Sequence, residues 1–235
     1  MGLPYSRAGA VAEQAWNEAA LAEAVAAPRW QLWTYADAAV VLGYSQRALM
    51  ESRSGRATLP LIQRRAGGGA VLTGPWMLSA SVVLPPAHPL LASGTVSSYR
   101  WLGEIFVGLL QDLGIAARAI EPAELESGRG APNPSWACFA GLSPWEVVAD
   151  GRKIVGLAQL RRRTGVLLAC GCLLYPPEWA LLCEALDMPA EHAALLADQT
   201  ASCAELLGHP VDMDDLAHAL QHRLAAVLRA DGPGA

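Results

Sequence analysis

Lysine is almost absent. Lys153 stands alone in a chain of 235 residues that otherwise carries its basic charge on sixteen arginines. Cysteine pairs in metal-binding spacing are missing as well. The five cysteines, Cys138, Cys170, Cys172, Cys183 and Cys203, are odd in number and show no CxxC, which argues against a disulfide framework and against a zinc site. A reducing cytoplasm is the expected compartment. No basic segment leads into an apolar run near Met1, and the longest apolar stretch, GVLLACGCLLY, is far short of a membrane span, so neither export nor membrane insertion is expected. The opening MGLPYS fits the M-G-x-x-x-S acylation pattern, but nothing basic follows to supply a second membrane signal. Positive charge is scarce too: the net charge is −5 and the one basic run is Arg161 to Arg163, so nucleic acid is not an expected partner. Internal repeats and low-complexity segments do not occur.

What is present is an ordinary globular composition, 53% hydrophobic and 17% charged. The length suits one domain over residues 1–235, with a helical C-terminal segment from about residue 176. AVAEQAWNEAALAEAVAA, Ala10 to Ala27, is rich in helix formers, and the spacing predicts an amphipathic helix with Val11, Ala15, Trp16, Ala19 and Ala22 on or near its buried face. The runs WQLWTY, AVVLG, LPLIQRR, AVLTG and LSASVVLP, separated by Gly and Pro, predict a meander of antiparallel strands. A second helix is predicted from about Val96 to Leu113, with Trp101, Ile105 and Leu109 at helical spacing and Gly114 as its stop.

IAARAI then reads as a strand, and residues 121–137, with three prolines and two glycines, as a mobile loop. WEVVAD, KIVGLAQLR and GVLLACGCLL follow as three strands joined by tight turns, the first turn at Gly151, and DMDDLAHALQHRLAAVLR as a helix with Asp212 at its N-cap. Strand clusters punctuated by helices, without regular βαβ alternation, predict an α+β fold around a mainly antiparallel sheet flanked by helices. The glycines at 67–69 lie between strands, so they form neither a Walker loop nor a dinucleotide-binding turn.

Three segments carry chemistry. In RRAGGGAVLTGP, three consecutive glycines beside a strand supply no packing, so they mark either a bulge or a place where a ligand lies against bare backbone. Arg64 and Arg65 beside them are either ligands for a carboxylate or phosphate, or solvated arginines of a hairpin. Lys153, in DGRKIVGLAQ, is either a chance surface lysine or a point charge at a place that a broad guanidinium would not serve. Cys138, at the loop-to-strand junction of SWACFAGLSPWEV, is either a small buried hydrophobe or a nucleophile whose thiolate a cation supports. Cys170 and Cys172, two apart in a strand, face one side and read as core.

LWTYADAAVVLGYSQ, RRAGGGAVLTGP, CFAGLSPWEVVADGRKIVGLAQLRRRTGVLLACGCLL and TASCAELLGHPVDMDDLAHAL occur in the order of the blocks of the lipoate-protein ligase and octanoyltransferase family. The chain resembles that family, which shares its class II synthetase-like catalytic domain with biotin-protein ligases, over about residues 10–230. The most specific element of the resemblance is R-R-x-G-G-G followed in order by G-R-K-I-V-G-x-A-Q. It implies that Gly67, Gly68, Gly69 and Ala70 line a tunnel for an acyl chain, with Arg64, Arg65, Gly156 and Ala158 completing the acyl- or lipoate-binding set. The lysine matching Lys153 contacts the reactive acyl carbonyl in that family, and a positive charge beside a developing oxyanion stabilises acyl transfer.

The resemblance leaves three activities open. An octanoyltransferase of the C-F-x-x-P-S type would carry octanoate from acyl carrier protein as a thioester on Cys138, with Glu146 where that family has Glu, and pass it to a lysine of a lipoyl carrier domain. A lipoate ligase would use ATP and Mg with Arg64, Arg65 and Lys153. A non-catalytic relative would bind an acyl or lipoyl ligand or partner only. No metal and no tightly bound cofactor are expected; lipoate or an octanoyl thioester enters as substrate. The sequence departs from the family pattern where Thr73 and Cys170 replace histidines and LSP replaces SPS, and His88, His192, His209, His218 and His222 all lie outside the family motifs.

Overall fold

The computed structural model describes residues 5–127 and 134–230. Its frame is a six-stranded sheet of order β1-β5-β9-β8-β7-β6, every neighbouring pair antiparallel. The strands are β1 (Arg29–Trp33), β5 (Met77–Leu84), β6 (Ala117–Ala119), β7 (Val147–Ala149), β8 (Arg152–Arg162) and β9 (Gly165–Leu173). MLSASVVL of β5 is buried at every residue, as a strand covered on both faces must be. β7 and β8 are joined across Asp150-Gly151, both at positive φ (52° and 72°), the turn that an Asp-Gly pair favours between twisted strands.

A second sheet of order β3-β2-β4 is built from β2 (Ala39–Leu42), β3 (Leu61–Gln63) and β4 (Val71–Thr73). The early strands are therefore not the antiparallel meander predicted from sequence. β2 and β3 pair in parallel, while β1 and β5 join the large sheet. The turn signals were real, but pairing partners are chosen by tertiary packing, which local pattern does not report.

One face of the large sheet packs on α3 (Arg100–Asp112) and α8 (Met213–Ala230), through residues such as Leu78, Ala80, Phe106, Leu109, Leu220 and Leu224. α3 buries Trp101, Ile105 and Leu109 at the predicted spacing, and Gly114 behind it takes φ 88°. Asp212 caps α8, accepting from the amides of Asp214 and Asp215 at 2.8 and 3.1 Å. Helices α5 (Trp179–Leu186), α6 (Glu191–Gln199) and α7 (Cys203–Leu207) lead from β9 to α8, and α2 (Arg47–Arg53) follows the small sheet's first strand.

Two further expectations are corrected. Part of the predicted 121–137 loop is a helix, α4 (Pro122–Ser127): proline is suited to a first helical position, and the Glu124 carboxylate reaches back to the Glu121 N–H at 3.0 Å. Residues 128–133 of that segment lie outside the described residues. The first helix, α1 (Ala10–Ala20), is shorter than predicted and buries Ala10, Glu13, Asn17 and Ala20, whereas Val11 is 65% exposed and Ala15, Ala19 and Ala22 face outward. An apolar-period argument chose the wrong stripe because the inward face of α1 is polar.

Behind the small sheet, backbone lies against backbone. A Cβ on Gly43, just after β2, would fall 1.8 Å from the Gly68 carbonyl oxygen, whereas one on Gly67 would meet nothing within 4 Å. Gly43→Ala is therefore expected to destabilise the chain by about 2 kcal/mol or more, and Gly67→Ala to stay within about 0.5 kcal/mol; urea unfolding of the two variants measures both.

Candidate active site

Glu146 and Lys153 form a buried ion pair. Their side chains are 1% and 2% exposed, and Lys153 Nζ lies 2.8 Å from Glu146 Oε1. Each charge is fully partnered, as burial demands. Glu146 accepts the Leu157 N–H on Oε1 at 3.0 Å and the Ser143 N–H on Oε2 at 2.7 Å. The Lys153 ammonium donates to the carbonyls of Cys138 at 2.8 Å and Gly141 at 3.0 Å, and stands 5.1 Å from the centre of the Phe139 ring. An ammonium has three protons, and all three are used. The oddity of the sequence, one lysine in a chain of arginines, thus sits at the centre of the molecule.

Local strain delivers Glu146 to this place. Trp145 adopts φ 67°, which a bulky side chain rarely takes, and is held there by its N–H to the Ile120 carbonyl at 2.7 Å. Its own carbonyl comes within 2.3 Å of where a Cβ on Gly103 of α3 would be, so that glycine admits the turn.

The pair fixes the short 3₁₀ turn Cys138–Ala140 from below. From the other side the glycine block holds it: Ala70 N–H donates to the Trp136 carbonyl at 2.7 Å, and Cys138 N–H to the Ala70 carbonyl at 2.9 Å. A Cβ on Gly69 would press on backbone from Trp136 to Cys138 at 2.5–2.8 Å, and one on Gly68, which has φ 92°, would lie 3.6 Å from the Cys138 sulfur. Gly69 is required because one backbone lies directly on another, and Gly68 because of its positive φ, whereas Gly67 stands in open space.

Arg64 is spent on the same loop. Its guanidinium donates to the carbonyls of Gly67 at 2.9 Å and Gly69 at 2.9 Å, while Arg65 pairs with Glu18 at the surface.

Cys138 opens onto a cavity between α1 and the large sheet, walled by Arg64, Arg65, Ala66, Val71, Met77, Phe139, Gly156, Ala158, Leu160, Leu167 and Gly171. Of the site residues expected from sequence, the structure thus brings Cys138, Arg64, Arg65, Gly156 and Ala158 to one cavity. Gly67, Gly68, Gly69, Ala70 and Lys153 are not among its wall residues; they brace the Cys138 turn. Contact of Lys153 with an acyl carbonyl requires it to exchange one of its three present partners.

The other cysteines are excluded as nucleophiles by burial. Cys138 alone of the five is not buried. Burial pushes the Cys170 thiol up to about 12, and the neighbouring Cys203 thiol together with burial raises Cys172 well above its ordinary range. Both pack in the core under α3 and α8, as two strand residues of the same parity should. Thr73, in place of a family histidine, borders the cavity with its hydroxyl donating to the Ala39 carbonyl at 3.1 Å. Among the described residues, no group of three or more His, Cys, Asp or Glu side chains could hold a metal ion, and no helix is long and apolar enough to cross a membrane.

Sequence reasoning missed the polar wall of the cavity, Glu13 and Asn17 of α1 with Tyr35 and Ser79. Its signal was available: two polar residues at i and i+4 on a helix whose other inward positions are alanine. Tyr35 donates to Glu13 Oε2 at 2.8 Å, and burial raises the Glu13 carboxyl to about 7 against the opposing pull of Tyr35, Arg64 and Gln14.

A carboxyl raised above its ordinary 4.5 costs stability once it ionises. The folded chain binds the extra proton between pH 4.5 and about 7, so wild-type stability falls as pH rises through that window. Glu13→Gln keeps an acceptor for Tyr35 without the charge. Its advantage over wild type should be smallest below pH 4.5 and grow to about 3 kcal/mol above pH 7, read as the pH dependence of the difference in unfolding free energy.

Comparison with known proteins agrees with this architecture. The family model described as lipoyl protein ligase A/B catalytic domain matches residues 10–225. "Octanoyltransferase LipM" of Kyrpidia tusciae is 32% identical over 212 residues, 86% of this chain and 76% of that protein, and "Octanoyltransferase LipM" of Brevibacillus brevis is 27% identical over 213 residues, 87% and 76%. Among solved structures, the bi-partite lipoate protein ligase of Thermoplasma acidophilum, described together with its E2 lipoyl domain, superposes with a TM-score of 0.66 at 20% identity, covering 96% of this chain and 81% of that one. The α+β fold with its antiparallel sheet is that of the lipoate-protein ligases, and the chain belongs to the lipoyl protein ligase A/B catalytic domain family.

Proposed function

We propose that this chain is an octanoyltransferase of protein lipoylation, which carries the octanoyl group on Cys138 and delivers it to a lysine of a lipoyl carrier domain. The curated relatives, somewhat longer than this chain, are named octanoyltransferases, and the Thermoplasma acidophilum neighbour is described with a lipoyl domain. The observation that carries the reading is the setting of Cys138: the one cysteine that is not buried, at the edge of a narrow, largely apolar cavity, on a turn clamped by a buried ammonium.

The Cys138 thiolate attacks the carbonyl of an octanoyl thioester, and the donor leaves as its thiol, taking up a proton. The neutral amine of the acceptor lysine then attacks the enzyme thioester, its proton is lost, and Cys138 leaves as thiolate while an amide forms. Lys153 acts on this chemistry by position: it fixes the Cys138 and Gly141 carbonyls, and it places a positive charge beneath the turn where negative charge develops. The donor is an acyl carrier protein thioester in this proposal, and the compartment a reducing cytoplasm, in keeping with five free thiols. Neither ATP nor Mg takes part. Arg64, which a ligase would direct at phosphates, is committed to glycine carbonyls, and Arg65 to Glu18.

Incubation with an apo lipoyl domain and octanoyl carrier protein, without ATP, should give an octanoylated domain by intact mass. Acylation that occurs only with free acid and ATP would replace this reading with a ligase, and no acylation under either condition with a binder. Cys138→Ala should abolish a hydroxylamine-sensitive adduct on the enzyme; an adduct that persists in that variant removes Cys138 from the mechanism. Lys153→Arg should lower turnover at least tenfold, because the wider guanidinium cannot occupy three converging single acceptors, and turnover equal to wild type would defeat the role given to the lysine.

A further inference from the structure

The floor of the cavity changes along its length. Gly156, Ala158 and Leu160 alternate along β8 and lie opposite Gly171, Ala169 and Leu167 of β9, so the three pairs share one face, small, small and large in turn. β9 is buried at every residue except Ala169 and Gly171, and both border the cavity. At the next pair the surface rises. Leu167, 4% exposed, packs with Leu21, Val25 and Val83, and Leu160 packs against the same cluster. That cluster is anchored: Val25 N–H donates to the Thr164 carbonyl at 2.8 Å, and the Thr164 hydroxyl donates to the Leu21 carbonyl at 2.7 Å. A Cβ on Gly165, one pair further on, would fall 2.5 Å from Val25 Cγ2, so no space is left behind Leu167.

The other end of this track lies at the Cys138 turn. The Phe139 ring comes within 3.3 Å of the Cβ position of Gly156, and so does Lys153 Cε, whose ammonium holds the Cys138 carbonyl. The distance from there to the leucines suits one chain length. Four residues of strand, from Gly156 to Leu160, advance about 13 Å. An extended acyl chain advances ~1.25 Å per bond, so an octanoyl group on a thioester sulfur spans about 10 Å. Its terminal methyl needs ~4 Å more to stand in contact with a leucine. A decanoyl chain is about 2.5 Å longer and runs into the leucines.

Resting on the transferase reading above, we propose that Leu160 and Leu167 form the end wall of the acyl cavity and set its preference at eight carbons. The polar groups of the cavity, Glu13, Asn17, Tyr35 and Ser79, come from α1, from β5 and from the segment after β1. A methyl-terminated chain keeps to the track along β8 and β9, where the floor is apolar from Gly156 to Leu160. Ala158 and Ala169 are the residues it lies on, and the two leucines are where it stops.

Calorimetric titration of the full chain with hexanoate, octanoate, decanoate and dodecanoate reads the wall. Affinity should rise about fourfold per added carbon as far as octanoate, because each methylene leaves water, and fall by about tenfold at decanoate, which overfills the space. Leu160→Ala should move the maximum to decanoate and Ala158→Leu should move it to hexanoate, with the fold of each checked by circular dichroism and thermal melting. A general loss of stability would weaken all four acids together and would not displace the maximum in opposite directions. Wild-type affinity that goes on rising to dodecanoate, or no binding of any of the four, overturns the wall whether or not the variants fold; so does a maximum that stays at octanoate in both folded variants. The same chains offered as thioesters for transfer to an apo lipoyl domain should keep the order found in binding. A binding maximum at octanoate with no transfer from any thioester upholds the wall and removes the transferase.

Discussion

The buried contact between Lys153 and Glu146 organises this molecule. Removing two charges from water is expensive, and an ion pair that replaced well-packed apolar residues would bring no stability by that exchange. Its value here lies in direction. Both groups are saturated by backbone: Glu146 by the amides of Ser143 and Leu157, Lys153 by the carbonyls of Cys138 and Gly141. The stretch from Cys138 to Glu146 is thereby fixed to β8 within a few ångströms, and the turn that carries Cys138 is part of it. An arginine would be too broad for this knot, which gives the single lysine of the sequence a physical reason.

The glycine block complements that clamp. Resemblance alone assigned Gly67, Gly68 and Gly69 to the wall of an acyl tunnel, whereas the geometry gives them to the Cys138 segment, with backbone on backbone at Gly69 and at Gly43. Arg64 then secures the loop that the missing side chains leave unsupported. A motif of arginines and glycines that looks built for phosphate is here a brace for the Cys138 turn. The cavity beside it owes its shape to small residues on β8 and β9, Gly156, Ala158 and Gly171, over which a chain can lie.

Much of this was legible in the sequence. α3 announced itself through Trp101, Ile105, Leu109 and Gly114, β8 and β9 through apolar runs joined by turns, and α8 through Asp212. Lys153 and Cys138 were marked by rarity and by motif. What escaped was the parallel pairing of β2 with β3 and the polar inward face of α1, which depend on tertiary partners, and the short helix α4, whose local signals were masked by the prolines and glycines around it. The failure at α1 is instructive. Apolar periodicity finds the stripe that faces a core, and Glu13 and Asn17 face a cavity, so the rule pointed to Val11 and Ala15, which lie in solvent.

The central claim is that the Lys153–Glu146 pair acts by holding Cys138 in its reactive place. Removing one partner alone would strand a buried charge, so the decisive protein is the double variant Lys153→Met with Glu146→Gln, which removes both charges together and leaves an acceptor for one of the two facing amides. The measurement is the rate of Cys138 octanoylation from an octanoyl thioester, followed by intact mass, alongside the thermal midpoint. The account predicts a folded variant whose Cys138 acylates at least a hundredfold more slowly than wild type. A folded double variant that acylates Cys138 at the wild-type rate would contradict it.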